Sequence, residues 1–168
     1  GRGGARMSCV VGTRDVHSIK QTLVPDCSFI ASLAVCVAWE KRFGRSLVCN
    51  NIFPQDRNGV PFISPSGRYV IRMLLNGTLR AIEIDDLLPF KPNTSPPELL
   101  CSHCVGSQEL WLSLFEKAYV KFHGKGYEVP GSTSSIDVYA LCGWIPDSWD
   151  LEDKTNMSAE DLAFTNRC

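Results

Sequence analysis

A long apolar stretch that begins at a cysteine is the sequence feature that most restricts the fold of this chain. From Cys27 to Phe43 apolar residues recur at helical spacing, Lys41 and Arg42 stand in the last turn, and Gly44 follows. This spacing predicts a largely buried helix, because basic side chains favour the carboxyl end of a helix and glycine readily ends one. The thiol of Cys27 is then expected at the start of that helix.

A β-hairpin is predicted in the middle of the chain. Asn76-Gly77 separates the apolar segments 68–75 and 79–84, and this dipeptide readily adopts positive φ at both central positions of a turn. Between the first helix and the hairpin, the prolines and glycines of residues 45–68 predict irregular chain with a short extended piece at 47–49.

Two further helices complete the prediction. Residues 109–122 carry an apolar stripe at helical spacing, and residues 135–142 form a shorter apolar segment that Ser134 or Ser135 is expected to cap. Residues 1–14 are rich in glycine and arginine and predict a poorly ordered approach segment. Helices with one hairpin at their side indicate an α+β fold.

Composition excludes several classes of protein. The 168 residues include 17 basic and 18 acidic side chains, so the formal charge of −1 gives no basic surface for nucleic acid. No apolar run reaches the roughly 18 residues that cross a bilayer, and the first residues lack the apolar core of a signal peptide. The eight cysteines are irregularly spaced and fit free thiols. We therefore expect a soluble, intracellular (cytoplasmic) protein without membrane insertion.

Cys27 is the first candidate for chemistry. A thiol reacts as a nucleophile only as the thiolate, which the positive end of a helix stabilises. A carbonyl attacked there develops an oxyanion that needs a hydrogen-bond donor, and Gln21, six residues upstream, is a candidate. The alternative for Cys27 alone is a buried helical thiol, because free cysteine is among the most buried residue types.

The segment around Cys27 resembles papain-like cysteine proteases. Gln21-Thr-Leu-Val-Pro-Asp-Cys27-Ser-Phe-Ile-Ala-Ser-Leu has their order of glutamine, five residues, cysteine and apolar helix. Further segments are similar to calpains in particular: Ile84-Asp-Asp-Leu-Leu-Pro89, Glu98-Leu-Leu-Cys101, Glu109-Leu-Trp-Leu-Ser-Leu-Phe-Glu-Lys-Ala-Tyr-Val-Lys121 and Pro130-Gly-Ser-Thr-Ser-Ser-Ile-Asp-Val-Tyr-Ala-Leu-Cys-Gly-Trp144. Ser28, where an aromatic usually follows the nucleophile, resembles the atypical branch that includes fungal ambient-pH response proteases and lacks EF-hands.

The resemblance implies a papain-like cysteine endopeptidase that acts on protein substrates. Cys27 would be the nucleophile, and Gln21 with the Cys27 amide the oxyanion hole. Residues 20–146 would form the first protease subdomain after an approach segment, 1–19, and 147–168 would be a linker or the start of a second subdomain. The family's His-Ala/Ser-Tyr and Asn-Pro-Trp motifs do not occur here. The second subdomain would supply that histidine and asparagine, and the isolated chain is expected to be inactive or nearly so.

Calcium is the cofactor that the resemblance raises. Calcium-binding calpains use a glutamate at the start of the second helix, which Glu109 matches, and an acidic residue nine positions before the nucleophile. Ser18 stands at that second position, with Asp15 nearby, so one hard oxygen ligand is lost and calcium dependence stays open.

Two alternatives to a protease remain open on sequence. The first is a calpain-like interaction module that keeps the fold without catalysis. The second is a zinc-binding domain built on Cys101, His103 and Cys104, although the chain offers no second paired cluster that would complete four ligands.

Overall fold

The computed structural model describes residues 10–12, 14–95, 97–123 and 131–147. Three α-helices, five short or medium strands and two single-turn 3₁₀ helices make up this part of the chain. In chain order the strands and α-helices are β1 (Ile19–Lys20), α1 (Cys27–Phe43), β2 (Ile52–Phe53), β3 (Arg68–Leu75), β4 (Thr78–Asp85), β5 (His103–Cys104), α2 (Trp111–His123) and α3 (Ser134–Cys142). This mixture confirms the α+β prediction.

The first predicted helix is confirmed as α1. It ends at Gly44, which has a φ of 67° and donates its N–H to the carbonyl of Glu40 at 2.8 Å. That left-handed conformation is one that glycine adopts without a steric cost. Phe29 and Leu33 on one face have no solvent exposure, so the apolar face of α1 is fixed in the core.

The predicted hairpin is also confirmed. β3 and β4 pair antiparallel in register from Arg68 opposite Asp85 to Leu75 opposite Thr78. Asn76 has a φ of 50° between them, as the turn requires. β2 pairs with the other edge of β3, so the sheet has the order β2-β3-β4.

The extended piece that was predicted at residues 47–49 is wrong. A single 3₁₀ turn, Cys49–Asn51, occupies this region, and the extended chain begins only at β2, Ile52–Phe53. Short apolar runs do not by themselves distinguish a strand from a turn whose backbone is held by tertiary contacts.

The second and third helices are confirmed with shifted starts. α2 begins at Trp111, two residues after the predicted start at 109. α3 begins at Ser134, and its N-cap residue is Thr133, whose side chain makes no capping hydrogen bond. The predicted capping by Ser134 or Ser135 is therefore wrong, since both residues lie inside the helix.

The three helices and the sheet pack around one core. α1 contacts α2 and α3, and both of these also contact β3. The ring of Phe29 in α1 stacks on that of Tyr119 in α2, with centroids 4.0 Å apart. Among the described residues, no helix has the length and apolar character needed to cross a membrane.

The end of the approach segment departs from the prediction of poor order. Val10 is 1% exposed, and its carbonyl accepts the N–H groups of Leu110 and Trp111 at 3.1 and 2.9 Å. Val10 is therefore part of the core and the partly buried Val11 packs against it, whereas residues 1–9 lie outside the described part.

Glu40 connects α1 to the chain that follows it. This buried carboxylate accepts the backbone N–H groups of Leu47, Val48 and Cys49 and the hydroxyl of Ser46. Arg14 adds an ion pair at 3.0 Å. A buried carboxylate is tolerated when its oxygens are satisfied in this way. Glu40 therefore sets the path of the chain from α1 towards β2.

We predict that Glu40→Ala destabilises the protein by about 3 kcal/mol, because three backbone N–H groups lose their acceptor. Urea unfolding followed by circular dichroism measures the change. Arg14→Ala is the matched control and is expected to cost about 1 kcal/mol or less, since its guanidinium is partly exposed. Equal losses for the two variants would contradict the assignment of the main effect to the N–H groups.

Three further carboxyl groups are buried where the helices meet. Asp26 and Glu116 are 0% exposed, and Asp137 is 1% exposed. Burial, reinforced by the negative charge of Glu116, raises the pKa of Asp26 from its usual 3.8 to about 7. Burial also raises the pKa of Glu116, although its carboxylate accepts hydrogen bonds from Ser102. Asp26 and Glu116 therefore favour the protonated state more in the folded protein than in the unfolded chain.

We predict that the free energy of unfolding of Asp26→Asn rises relative to that of the wild-type as pH increases. The folded pKa of Asp26 is above the unfolded one, so the wild-type loses stability progressively between about pH 4 and 7, as the buried group is forced to ionise. Compared with the wild-type, the variant should gain about 2 kcal/mol between pH 5 and pH 8. Urea unfolding at both pH values measures it, and parallel pH profiles would be the contradicting result.

Candidate functional site

Cys27 is the first residue of α1, and its side chain is exposed. Its helix neighbours Phe29 and Ile30 are buried, so the solvent-facing thiol is carried by a rigid element. The preceding residue, Asp26, occupies the N-cap position but makes no side-chain capping hydrogen bond. The first-turn amides and the positive helix end therefore remain available to a negative charge beside the Cys27 sulfur.

Gln21 lies on the loop that leads into α1. It directly follows β1, which pairs antiparallel with β5 and fixes the start of this loop. The Gln21 amide nitrogen donates to the Val24 carbonyl at 2.8 Å and to Asp26 Oδ1 at 3.1 Å. The structure thus brings the Gln21 amide to the residue that immediately precedes Cys27.

Asp26 is a site residue that the sequence reasoning missed. An aspartate directly before an apolar helix is typical of an N-cap, yet this side chain turns inward and binds Gln21. Its second oxygen, Oδ2, is buried and has no hydrogen-bond partner within the described residues. The high pKa of Asp26, about 7, has burial as its main cause. Only the close spacing of Gln21 and Asp26 could have suggested their contact.

A hydrogen bond between Ser28 and Asp137 connects the start of α1 to α3. The Ser28 hydroxyl donates to Asp137 Oδ2 at 2.8 Å, and the Tyr119 hydroxyl lies 3.4 Å from Asp137 Oδ1. Ser28 is thus a donor to a buried carboxylate in this chain. An aromatic side chain at this position could not make that hydrogen bond unless it carried a polar group.

None of the three histidines contacts Cys27. His17 is exposed in the 3₁₀ turn before β1, and His103 Nδ1 lies 2.9 Å from the Cys101 carbonyl. The ring of His123 packs on Tyr119 with centroids 4.4 Å apart. In the part of the chain described, the Cys27 thiol has no imidazole within hydrogen-bond reach. The described residues therefore offer a candidate nucleophile and a candidate oxyanion donor, with no histidine placed to act as their general base.

The donor set around Glu109 does not form a carboxylate-rich calcium cage. Glu109 is 4% exposed, and its Oε2 accepts the indole N–H of Trp111 at 3.0 Å. The Ser18 hydroxyl donates to the Asp15 carbonyl, and Asp15 Oδ1 accepts the N–H of His17. Ca²⁺ favours several hard oxygen ligands with acidic side chains among them. Glu109 as a calcium ligand stays a prediction.

The cysteines next to His103 are buried thiols in this structure. Cys101 and Cys104 are buried, and burial raises the pKa of each thiol to about 11. Zinc binds the thiolate. Residues 10–12, 14–95, 97–123 and 131–147 contain no group of three or more histidine, cysteine or acidic side chains arranged to hold a metal ion.

Comparison with known proteins gives the family that the sequence segments resemble. The family model described as calpain family cysteine protease matches residues 5–165. Calpain-7 from Mus musculus and from Homo sapiens are each 46% identical over 155 residues, covering 92% of this chain and 19% of the relative. The calpain-like protease palB/RIM13 of Cryptococcus neoformans is 36% identical over 143 residues, covering 80% of this chain and 17% of the relative.

The chain thus spans less than a fifth of the length of these relatives. A further fungal relative, the calpain-like protease palB/cpr-8 of Neurospora crassa, is 40% identical over 136 residues. The matches confirm the resemblance to the atypical branch without EF-hands that Ser28 and its surroundings indicated. With its family model spanning nearly all of the sequence, this chain belongs to the calpain family of cysteine proteases.

Proposed function

We propose that this chain is the nucleophile-bearing half of a cysteine endopeptidase, with Cys27 as the nucleophile. The observation that carries the proposal is an exposed thiol on the first residue of a buried helix whose amino end has no side-chain cap. A buried structural thiol, the alternative for a lone cysteine, fits Cys36 and does not fit Cys27, since Cys36 is buried in the middle of the same helix.

The oxyanion donors in this proposal are the Cys27 backbone amide and the side-chain amide of Gln21. Support comes from the hydrogen bond of Gln21 to Asp26, the residue adjacent to the nucleophile. In the reaction, the Cys27 thiolate forms a bond to the peptide carbonyl carbon, and the C=O electron pair moves to oxygen. These donors act on that oxygen, where the charge develops.

The second half of the reaction needs a group from outside the described residues. When the tetrahedral species collapses, the C–N bond breaks and the leaving amine takes a proton, which leaves a thioester on Cys27. Water then attacks the thioester and frees the thiol. The protonation and the activation of water both require a general acid–base group, which we assign to a histidine in a second subdomain. Residues 20–146 are then the first subdomain, and 147–168 lead towards the second.

We predict that an epoxysuccinyl peptide inhibitor labels the full-length protein on Cys27. The thiolate should open the epoxide and form a thioether, because the helix end favours the charged sulfur. Peptide mapping by mass spectrometry identifies the modified residue, and Cys27→Ala is the matched control. Labelling spread over several cysteines, or none in an otherwise folded protein, would favour the interaction module instead.

We predict that Gln21→Ala lowers kcat of the full-length protein towards a peptide substrate by about 100-fold, the usual effect of removing one oxyanion donor. Alkylation of Cys27 by iodoacetamide should keep its rate, because that reaction builds no oxyanion. Gln108→Ala, which removes an exposed amide, is the matched control and should leave kcat unchanged. Loss of alkylation and of turnover together would indicate a structural role for Gln21.

A further inference from the structure

Asp26 departs from the behaviour expected of an aspartate at the start of a helix. An N-cap carboxylate usually accepts an N–H from the first turn, but the Asp26 side chain makes no such bond. It is 0% exposed and accepts the amide of Gln21 at 3.1 Å. Burying a carboxyl group without full hydrogen bonding costs free energy. The contact with Gln21 therefore suits a role other than helix capping.

The two acceptors of Gln21 determine which end of its amide faces them. An ionised carboxylate and a backbone carbonyl both accept hydrogen bonds and cannot donate any. Asp26 Oδ1 and the Val24 carbonyl therefore select the nitrogen of Gln21. An amide turned by 180° would place its own oxygen against two acceptors. Only the nitrogen end can donate to an oxyanion, so the choice of orientation affects the reaction.

We propose that Asp26 is a positioning residue that turns the amide nitrogen of Gln21 towards the start of α1, ready to donate to an oxyanion beside Cys27. This inference rests on the proposed function, because it assigns a partner to the proposed oxyanion donor. Asp26 itself touches no substrate in this account and acts through Gln21.

The hydrogen bonds of Gln21 indicate how the amide can serve both partners. The Gln21 side-chain nitrogen donates two hydrogen bonds, to the Val24 carbonyl at 2.8 Å and to Asp26 Oδ1 at 3.1 Å. In this proposal a nearby oxyanion shares the N–H that contacts Asp26, while the Val24 bond keeps the amide in place. Asp26 thus holds the donor until charge develops on the substrate oxygen.

The charge state of Asp26 links this orientation to pH. The groups that face it are Glu116 and Tyr119 from α2 and Asp137 from α3, and Glu116 and Asp137 both disfavour a further negative charge. The pKa of Asp26 is about 7, so the acceptor-only carboxylate predominates above that pH. Below it, the protonated carboxyl can also donate and selects the Gln21 nitrogen less strongly.

The contact can be tested in this chain by NMR of ¹⁵N-labelled glutamine side chains between pH 5.5 and 8.5. We expect the Gln21 NH₂ signals to shift with a midpoint near pH 7 in the wild-type and to stay constant in Asp26→Asn. Asp137→Asn is the matched control: it removes a neighbouring buried carboxyl without touching Gln21, so the Gln21 shift should persist. The proposal would be overturned if the Gln21 NH₂ signals of the wild-type did not shift with pH, or if they shifted with the same midpoint in Asp26→Asn.

The consequence for chemistry needs the full-length protein and a double-mutant comparison. Asp26→Asn should lower kcat on the order of tenfold with little change in KM, because the donor is misoriented rather than lost. In the Gln21→Ala background the same substitution should cost nothing more, and Cys27 alkylation by iodoacetamide should keep its rate. A further loss of kcat in that background, or slower alkylation, would show that Asp26 does not act through Gln21.

The two experiments separate this inference from the function on which it rests. A full-length protein without Cys27-dependent turnover would overturn the proposed function, and the NMR titration would still decide whether Asp26 orients Gln21. Conversely, normal turnover with unchanged Gln21 signals in Asp26→Asn would keep the protease and remove the positioning role.

Discussion

The site depends on a helix that is buried along one face and open at its first residue. Phe29 and Leu33 fix α1 in the core, while the thiol of Cys27 faces solvent. A helix end held in this way presents unpaired amides and a partial positive charge at a constant place. The position of the Cys27 sulfur at this helix end therefore follows from the packing of buried residues further along α1. Glu40, near the far end of α1, extends the same anchoring to the next segment of chain.

The buried carboxyl groups of Glu40 and Asp26 differ in how completely hydrogen bonds and ion pairs satisfy them. Glu40 is surrounded by backbone N–H groups and an arginine, so its charge is matched and it serves the architecture. Asp26 has Gln21 as its side-chain donor and one oxygen without a partner, with two other acids nearby. Such incomplete satisfaction costs stability, and it is typical of functional sites more than of structural ones.

The sequence was sufficient where the determinants are local. Helical spacing with Gly44 as a stop predicts α1, and Asn76-Gly77 predicts the hairpin, because a few neighbouring residues decide each conformation. The inward turn of Asp26 and the burial of Val10 were missed, since both depend on partners that only the folded chain supplies. For Val10 those partners are N–H groups a hundred residues away. The proposed role of Cys27 rests on its spacing to Gln21 and on the family resemblance, which local propensity alone could not give.

The proposed function takes its nucleophile and its oxyanion donors, but no general base, from the described residues. Cys27 begins α1 and the amide of Gln21 contacts Asp26, the residue before it, whereas His17, His103 and His123 each have other surroundings. A nucleophile without a general base can bond to an electrophile but cannot complete an amide hydrolysis, because the amine leaves only after it gains a proton. Under the proposed function, turnover therefore requires a general base from outside the described residues.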